Sequence, residues 1–343
     1  MSVTGRIDAF QQRHRVVGFP LAVFYKYFDD QGAYLAALIT YYGIIGLFPL
    51  LLLLSTILGF VLDGNPELQR RVLDGALSQF PVIGGDLGTP GRIGGGTSGL
   101  VVGIVGSLYG GLGIAQALQN AMNAAWSVPR NSRPNPFKAR GISLLLLGTV
   151  GLGVIATTAV SAVLTNGVAG KDLSTGTLRV VILAVTSILN AAIFVVAFRL
   201  ATARDLRIRQ VLPGAVLAAA VYLGLQLFGA SYVGFIVDRS SATSGVFALV
   251  LGLIAFLYLS SVALVLCVEV NVVRVERLYP RALLTPFTDS VDLTKGDRAA
   301  YASLAEAQRL KGFEEVEVTF GPRPDELPVR DSKASGHFES PEP

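Results

Sequence analysis

Six stretches of this chain run without an Asp, Glu, Lys, Arg or His: Ala33–Leu62, Ile93–Pro129, Gly141–Gly170, Val180–Phe198, Gln210–Val237 and Ser240–Val268. Each can supply the roughly 20 residues that cross about 30 Å of hydrocarbon. A single charge at the bilayer centre costs at least a few kcal/mol, so such clean windows mark spans. No alternating strand pattern runs through them, and helices rather than a barrel then satisfy the backbone. The pattern predicts an all-α integral membrane protein with six transmembrane helices, at about 34–61, 99–121, 142–165, 180–198, 212–236 and 245–268.

The polar connections set the orientation. Arg6, Arg13, Arg15 and Lys26 precede the first span, and Arg130, Arg133, Lys138 and Arg140 separate the second from the third. Arg199, Arg204, Arg207 and Arg209 follow the fourth, and Arg274, Arg277 and Arg281 follow the sixth. The alternate connections are poorer, with Arg70, Arg71 and Arg92 spread along a long segment, then Lys171 and Arg179, then Arg239. Positive charge collects on the cytoplasmic side, so both ends are expected inside the cell. Before the first span, Leu21, Phe24, Tyr25 and Phe28 at helical spacing predict an N-terminal interfacial amphipathic helix within a cytoplasmic segment 1–32. The six-helix domain then occupies 33–272. A cytoplasmic acidic tail, 273–343, is expected to be largely disordered apart from a short helix at Tyr301–Leu310.

Composition agrees with lipid as the main solvent. Hydrophobic residues are 52%, charged residues 15% and mean hydropathy +0.56, whereas an ordinary globular chain is roughly a quarter charged. Residues 1–284 hold 21 Lys/Arg against 12 Asp/Glu, and residues 285–343 hold 7 against 12. The basic excess lies in short loops between apolar runs. It points to anionic lipid headgroups as partners and not to nucleic acid. The one cysteine, Cys267, excludes an intrachain disulfide framework. The N-terminus lacks the short apolar core of a cleaved signal peptide.

Two features inside the helices carry candidate chemistry. Gly99, Gly103, Gly106, Gly110 and Gly113 recur at steps of four and three along the second span. Such a seam lets a neighbouring helix approach closely; a gating helix is the sharper reading. Continuing it, Gln116, Gln119, Asn120 and Asn123 place four amides near one end of the span. They act either as glue between helices or as contacts for a solute. Glu269 and Asn271 stand at the end of the sixth span, where an acid opposes the helix dipole and wants a basic partner. A structural ion pair and a proton- or cation-coupling carboxylate both remain open. Pro49 interrupts the first span and bends it. Gly151, Gly153 and Ala156 match a dinucleotide fingerprint only as letters, without a preceding strand. The two histidines, His14 and His337, sit at opposite ends, so no catalytic residue, metal site or cofactor is expected and the chain reads as a non-enzyme.

Several segments carry a resemblance. Ala36-Ala37-Leu38-Ile39-Thr40-Tyr41-Tyr42 running into Leu47-Phe48-Pro49-Leu50-Leu51 resembles the first-span signature of the YihY/BrkB family of bacterial inner-membrane proteins. Ala117 to Pro129, with Trp126 near its end, is similar to the end of that family's second span. Leu212-Pro213-Gly214-Ala215 and Glu269-Val270-Asn271 look like the start of its fifth span and the end of its sixth. The resemblance covers about residues 20–280 in order and implies a multi-pass location in the bacterial cytoplasmic membrane. Where members often carry a tyrosine-rich turn and a tryptophan, this chain has Ser240–Gly245 and Phe256. Members have been labelled ribonuclease, serum-resistance factor and transporter. The expected function is a permease that moves a small polar or ionic solute past Gln116, Gln119, Asn120 and Asn123, with Glu269 coupling. A non-transporting scaffold that organises the envelope is the competing class and a ribonuclease a remote one; a homo-oligomer is left open. The orientation is checkable directly. Reporters fused before Met1 and after Pro343 are both expected to read cytoplasmic, and one exported reporter would overturn the assignment.

Overall fold

The computed structural model of the chain describes residues 3–61, 96–168, 175–237 and 242–321. Among them nine α-helices follow one another: α1 (Val3–Arg13), α2 (Arg15–Asp29), α3 (Gly32–Val61), α4 (Gly96–Ala125), α5 (Pro136–Val168), α6 (Thr175–Ala201), α7 (Ile208–Val237), α8 (Ala242–Glu276) and α9 (Lys295–Glu306). No strand occurs among the described residues. Five stretches are long and apolar enough to cross a membrane: Val101–Ala125, Pro136–Thr157, Val180–Ala201, Ile208–Gln226 and Val250–Glu276. The first expected span lies in α3, whose described apolar run, Gly32–Leu47, is shorter. The connections carrying Arg70, Arg71, Arg92, Lys171 and Arg239, and the tail from 322 onward, lie outside the described residues.

Glycine decides how the bundle closes. The α4 seam packs onto α3, the most extensively joined pair in the bundle. A Cβ on Gly110 would run into the backbone of Gly46, one on Gly113 into the Tyr42 ring, and one on Gly106 would come within 2.6 Å of Pro49 Cβ. Gly103 is buried on the same helix. Without a hydrophobic drive between helices, close backbone approach of this kind supplies the dispersion contact that holds them. Pro49 therefore sits in the α3 face that meets the seam.

Side chains from neighbouring helices take up backbone groups that the chain leaves open. Pro213 in α7 has no N–H for the Arg209 carbonyl one turn earlier. Arg274 of α8 donates to that oxygen at 2.7 Å. Asn271 of α8 bridges the same turn, accepting from Gly214 N at 2.7 Å and donating to Val211 O at 3.1 Å. A side chain on Gly214 would collide with Cys267 O and the Asn271 amide, so α7 and α8 depend on glycine there.

Two expectations about the ends need correction. The N-terminal segment forms two helices, and α2 does not turn its whole apolar set outward. Phe24 and Phe28 are exposed, but Tyr25 is buried and Lys26 is 1% exposed. The segment after the sixth span is not a disordered tail from 273: α8 continues to Glu276, residues 281–283 bond α1 and α2, and Ala307 and Arg309 accept from the backbone N–H groups of Arg130 and Asn131, so the segment forms a cap. At its centre Arg281, fully buried, pairs with Asp297 and, at 3.0 Å, with Asp29. Its guanidinium also lies over the rings of Tyr25 and Tyr301. The short helix begins earlier than expected because Thr294 and Asp297 form a reciprocal capping box. Asp8, Gln11 and Tyr25 complete the cap by bonding the backbone of 281–283.

Glycine substitution tests the packing. Gly110→Leu is expected to lower stability by about 1–3 kcal/mol through overpacking. Gly148→Ala and Gly151→Ala, where a Cβ meets nothing within 4 Å, should change it little. Thermal unfolding in detergent measures the difference; equal melting of all three variants would refute the seam as a packing device.

Candidate functional site

Besides the Arg281 cap, a second cluster of buried charge lies where α2, α3, α4 and α8 meet. Lys26 closes the last turn of α2, and Asp30 follows one helical turn later, so their side chains share a face and pair. Lys26 also donates to Ala125 O at the end of α4, at 3.1 Å. The turn into α3 is tight. Gln31 adopts φ 55, and a Cβ on Gly32 would strike the Tyr27 ring. From α8, Glu269 reaches the same point with no solvent exposure at all.

Charge in this cluster does not balance. One ammonium faces two carboxyls, and both Glu269 oxygens and Asp30 Oδ1 lack a donor. Two carboxylates cannot hydrogen-bond each other, but the side chains of Asp30 and Glu269 stand within bonding reach once one holds a proton. Burial pushes the Asp30 carboxyl above the ordinary aspartate range, and Lys26 only partly opposes it. For Lys26 burial works against the charged form, yet Glu269 and Asp30 outweigh it and hold the ammonium above its usual value. The partners respond unequally because the lysine is served by two acids while the acids share one cation.

Further along the helices from the cluster, a partly open cavity of about 240 Å³ lies between α3, α4, α6, α7 and α8. Its polar groups are hydroxyls: Thr40, Ser260, Ser261 and Tyr222. Thr40 donates to Ser261 across the α3–α8 interface at 3.1 Å. Ser261 stands eight residues from Glu269, about 12 Å along a helix. The rest of the lining is apolar and includes no ionisable side chain other than Tyr222. A second apolar cavity, about 360 Å³, lies on the far side of Phe194 and Tyr222, which meet edge to face.

The four amides of the second span do not converge on either cavity. Gln119 is buried and donates to Ser143 at 2.8 Å and to Ala139 O at 3.2 Å, fastening α4 to α5. Asn123 is buried and accepts from Ala203 N at 2.7 Å, holding the end of α6. Gln116 and Asn120 are exposed, and Asn120 accepts from Arg133 at 3.3 Å. Asn271 is committed to α7. Of the expected site residues, only Glu269 joins the buried cluster. The basic group that acts on Glu269 is Lys26 of α2. The surroundings of Gly99 lie outside the described residues.

Asp30 and Asp297 each have a local signal in the sequence. Lys26 and Asp30 stand at i, i+4 spacing, and Thr294 precedes Asp297 by the three residues of a capping box. Nothing local marks Arg281 as buried, since its partners come from residues far away in sequence.

Among known proteins, the sequence family described as virulence factor BrkB matches residues 23–289. No curated protein and no solved structure matches the chain. The matched region holds Lys26, Asp30, Glu269 and Arg281, and it ends before α9.

Removing the cation tests the cluster. Lys26→Met leaves two buried carboxyls with no counter-charge and is expected to cost about 3–5 kcal/mol in a detergent unfolding assay. Adding Asp30→Asn should recover much of the loss. A single variant as stable as the parent would show that no charge is held there. A pH series gives a second test. The folded protein holds the Asp30 proton more tightly than the unfolded chain. Its stabilising contribution is therefore full below the ordinary aspartate value of 3.8 and is lost as pH rises through the raised folded value. Melting temperature should then climb as pH falls from neutral. The climb should flatten in Glu269→Gln, whose amide supplies a permanent donor to Asp30. An unchanged slope in that variant would contradict a shared proton.

Proposed function

The chain belongs to the virulence factor BrkB family, and from that premise we propose that it is a transporter of the bacterial cytoplasmic membrane. In this reading α3 also crosses the membrane, which brings the spans to six, and both ends face the cytoplasm. It moves a small, uncharged solute with an apolar body and one hydrogen-bonding group, linked to proton binding at Lys26, Asp30 and Glu269.

The observation that carries the reading is the hydroxyl-lined cavity further along the helices from a buried cluster whose two acids share one cation. An ion would meet no counter-charge in that cavity, and a desolvated charge costs several kcal/mol. The solute is therefore neutral, which narrows the expectation of a polar or ionic one. Thr40, Ser260 and Ser261 offer hydroxyls to it, although each also bonds a backbone carbonyl of its own helix. Loss of the shared proton would leave two adjacent carboxylates, one in the turn from α2 into α3 and one on α8, and their repulsion falls where α3 meets α8.

The buried Arg281 cap favours a second reading, a scaffold that holds partners through its cytoplasmic face and moves nothing. Flux separates the two. Purified full-length protein in vesicles is expected to speed uptake of small neutral amphipathic solutes, and an inward-acid gradient should drive accumulation. Glu269→Gln should keep downhill movement and lose the response to the gradient. Absence of any protein-dependent movement across the solute panel, with and without a gradient, would overturn transport and leave the scaffold.

A further inference from the structure

A second pocket, of about 540 Å³, opens at the same end of the bundle as the Lys26 cluster, between the first turns of α5 and the last turn of α6. It is separate from both apolar cavities and shares no lining residue with the cavity beside Thr40. Its cationic groups are Lys138 of α5, Arg199 of α6, and Arg204 in the connection that follows; Asp205 is the one acid. The three cations are not equally free. Arg204 pairs with Glu276 at 2.9 Å and lies over the Trp126 ring. Arg199 uses its Nε on Leu206 O at 2.8 Å. Lys138 is exposed and forms no ion pair among the described residues. After Glu276 offsets Arg204 and Asp205 offsets one more charge, the pocket keeps a net cation.

The walls are of the opposite character. Ile142, Val196 and Leu200 line the side that continues onto the outer faces of α5 and α6. Val196 is 39% exposed, and Phe137, beside Lys138, is 85% exposed. These are membrane-facing surfaces of two candidate spans, Pro136–Thr157 and Val180–Ala201, at the point where they leave the apolar layer. Cations at the polar rim above an apolar wall match an amphipathic anion whose charged head sits at the membrane surface. A soluble anion would use the cations and leave the wall unused.

We propose that this pocket binds the phosphate-bearing headgroup of an anionic membrane glycerophospholipid, with Lys138, Arg199 and Arg204 around the phosphate and Ile142, Val196 and Leu200 against the first acyl segments. The lysine is the most replaceable of the three cations because it holds nothing else in place. Arg140, two residues further along α5, is also exposed but does not line the pocket. It serves as the control for charge without position.

The test uses full-length protein in detergent, with lipid retention read by native mass spectrometry and protection read by thermal unfolding. Phosphatidylglycerol is expected to be retained and to raise the melting temperature above that seen with phosphatidylcholine. Lys138→Gln should weaken phosphatidylglycerol binding about fivefold, the effect of one basic group near an anionic surface. Adding Arg204→Gln should weaken it further. Arg140→Gln should bind as the parent does. Lys138→Arg should keep binding and shows that loss in the glutamine variant is not misfolding. Inorganic phosphate is the arm that separates the two sources of the anion: it should neither protect nor compete. Equal loss in Lys138→Gln and Arg140→Gln would overturn the site in favour of diffuse surface attraction. Equal retention of both lipids, or protection by phosphate alone, would overturn the lipid assignment.

Discussion

The constraint on which one end of this bundle depends is that Lys26 cannot be buried unless α2, α3, α4 and α8 all arrive together. An ammonium removed from water loses several kcal/mol of solvation, and only close partners return it. Asp30 supplies the pair from the turn into α3, Ala125 the carbonyl from the end of α4, and Glu269 the second carboxyl from α8. Each helix thus has a fixed height relative to the others. The tight elbow at Gln31 and Gly32 follows from the same requirement, because Asp30 must point back at Lys26 while α3 starts upward.

Above that level, apolar surface does little to hold the helices, and the contacts change character. Gly46 meets Gly110 backbone to backbone, Asn271 and Arg274 hold the α7 turn around Pro213, and Gln119 and Asn123 fasten α4 to α5 and to the end of α6. In lipid a polar side chain that bridges two helices removes an unsatisfied backbone group as well as its own cost. This explains why polar residues near the helix ends are spent on neighbours and why the cavity between the helices is left with hydroxyls alone.

The fold was legible in the sequence because membrane spans are written as absences of charge, and an absence over 20 residues is hard to mistake. The glycine seam was legible for a similar reason: its steps of three and four fall on one helix face. The site was less so. Gln116, Gln119, Asn120 and Asn123 looked like one patch, but a helix turns about 100° per residue, and the structure divides them between a buried and an outer face. Lys26 lies in an aromatic stretch of α2, and the α8 acid that acts on it, Glu269, lies 243 positions away. Long-range charge pairing leaves no local trace. The cap shows the same limit, since the acidic surplus of residues 285–343 suggested disorder while one of its aspartates, Asp297, is fully buried on Arg281.

Asp29 and Asp30 are adjacent, yet they serve different bodies. Asp29 faces Arg281 and so belongs to the cap; Asp30 faces Lys26 and Glu269 and so belongs to the bundle. Both sit where α2 ends, on a stretch of backbone with no slack, since the elbow to α3 follows at once. The two charge pairs therefore share one short elbow of backbone, Asp30 on the bundle side and Asp29 on the cap side, so the position of α2 is fixed from both at once.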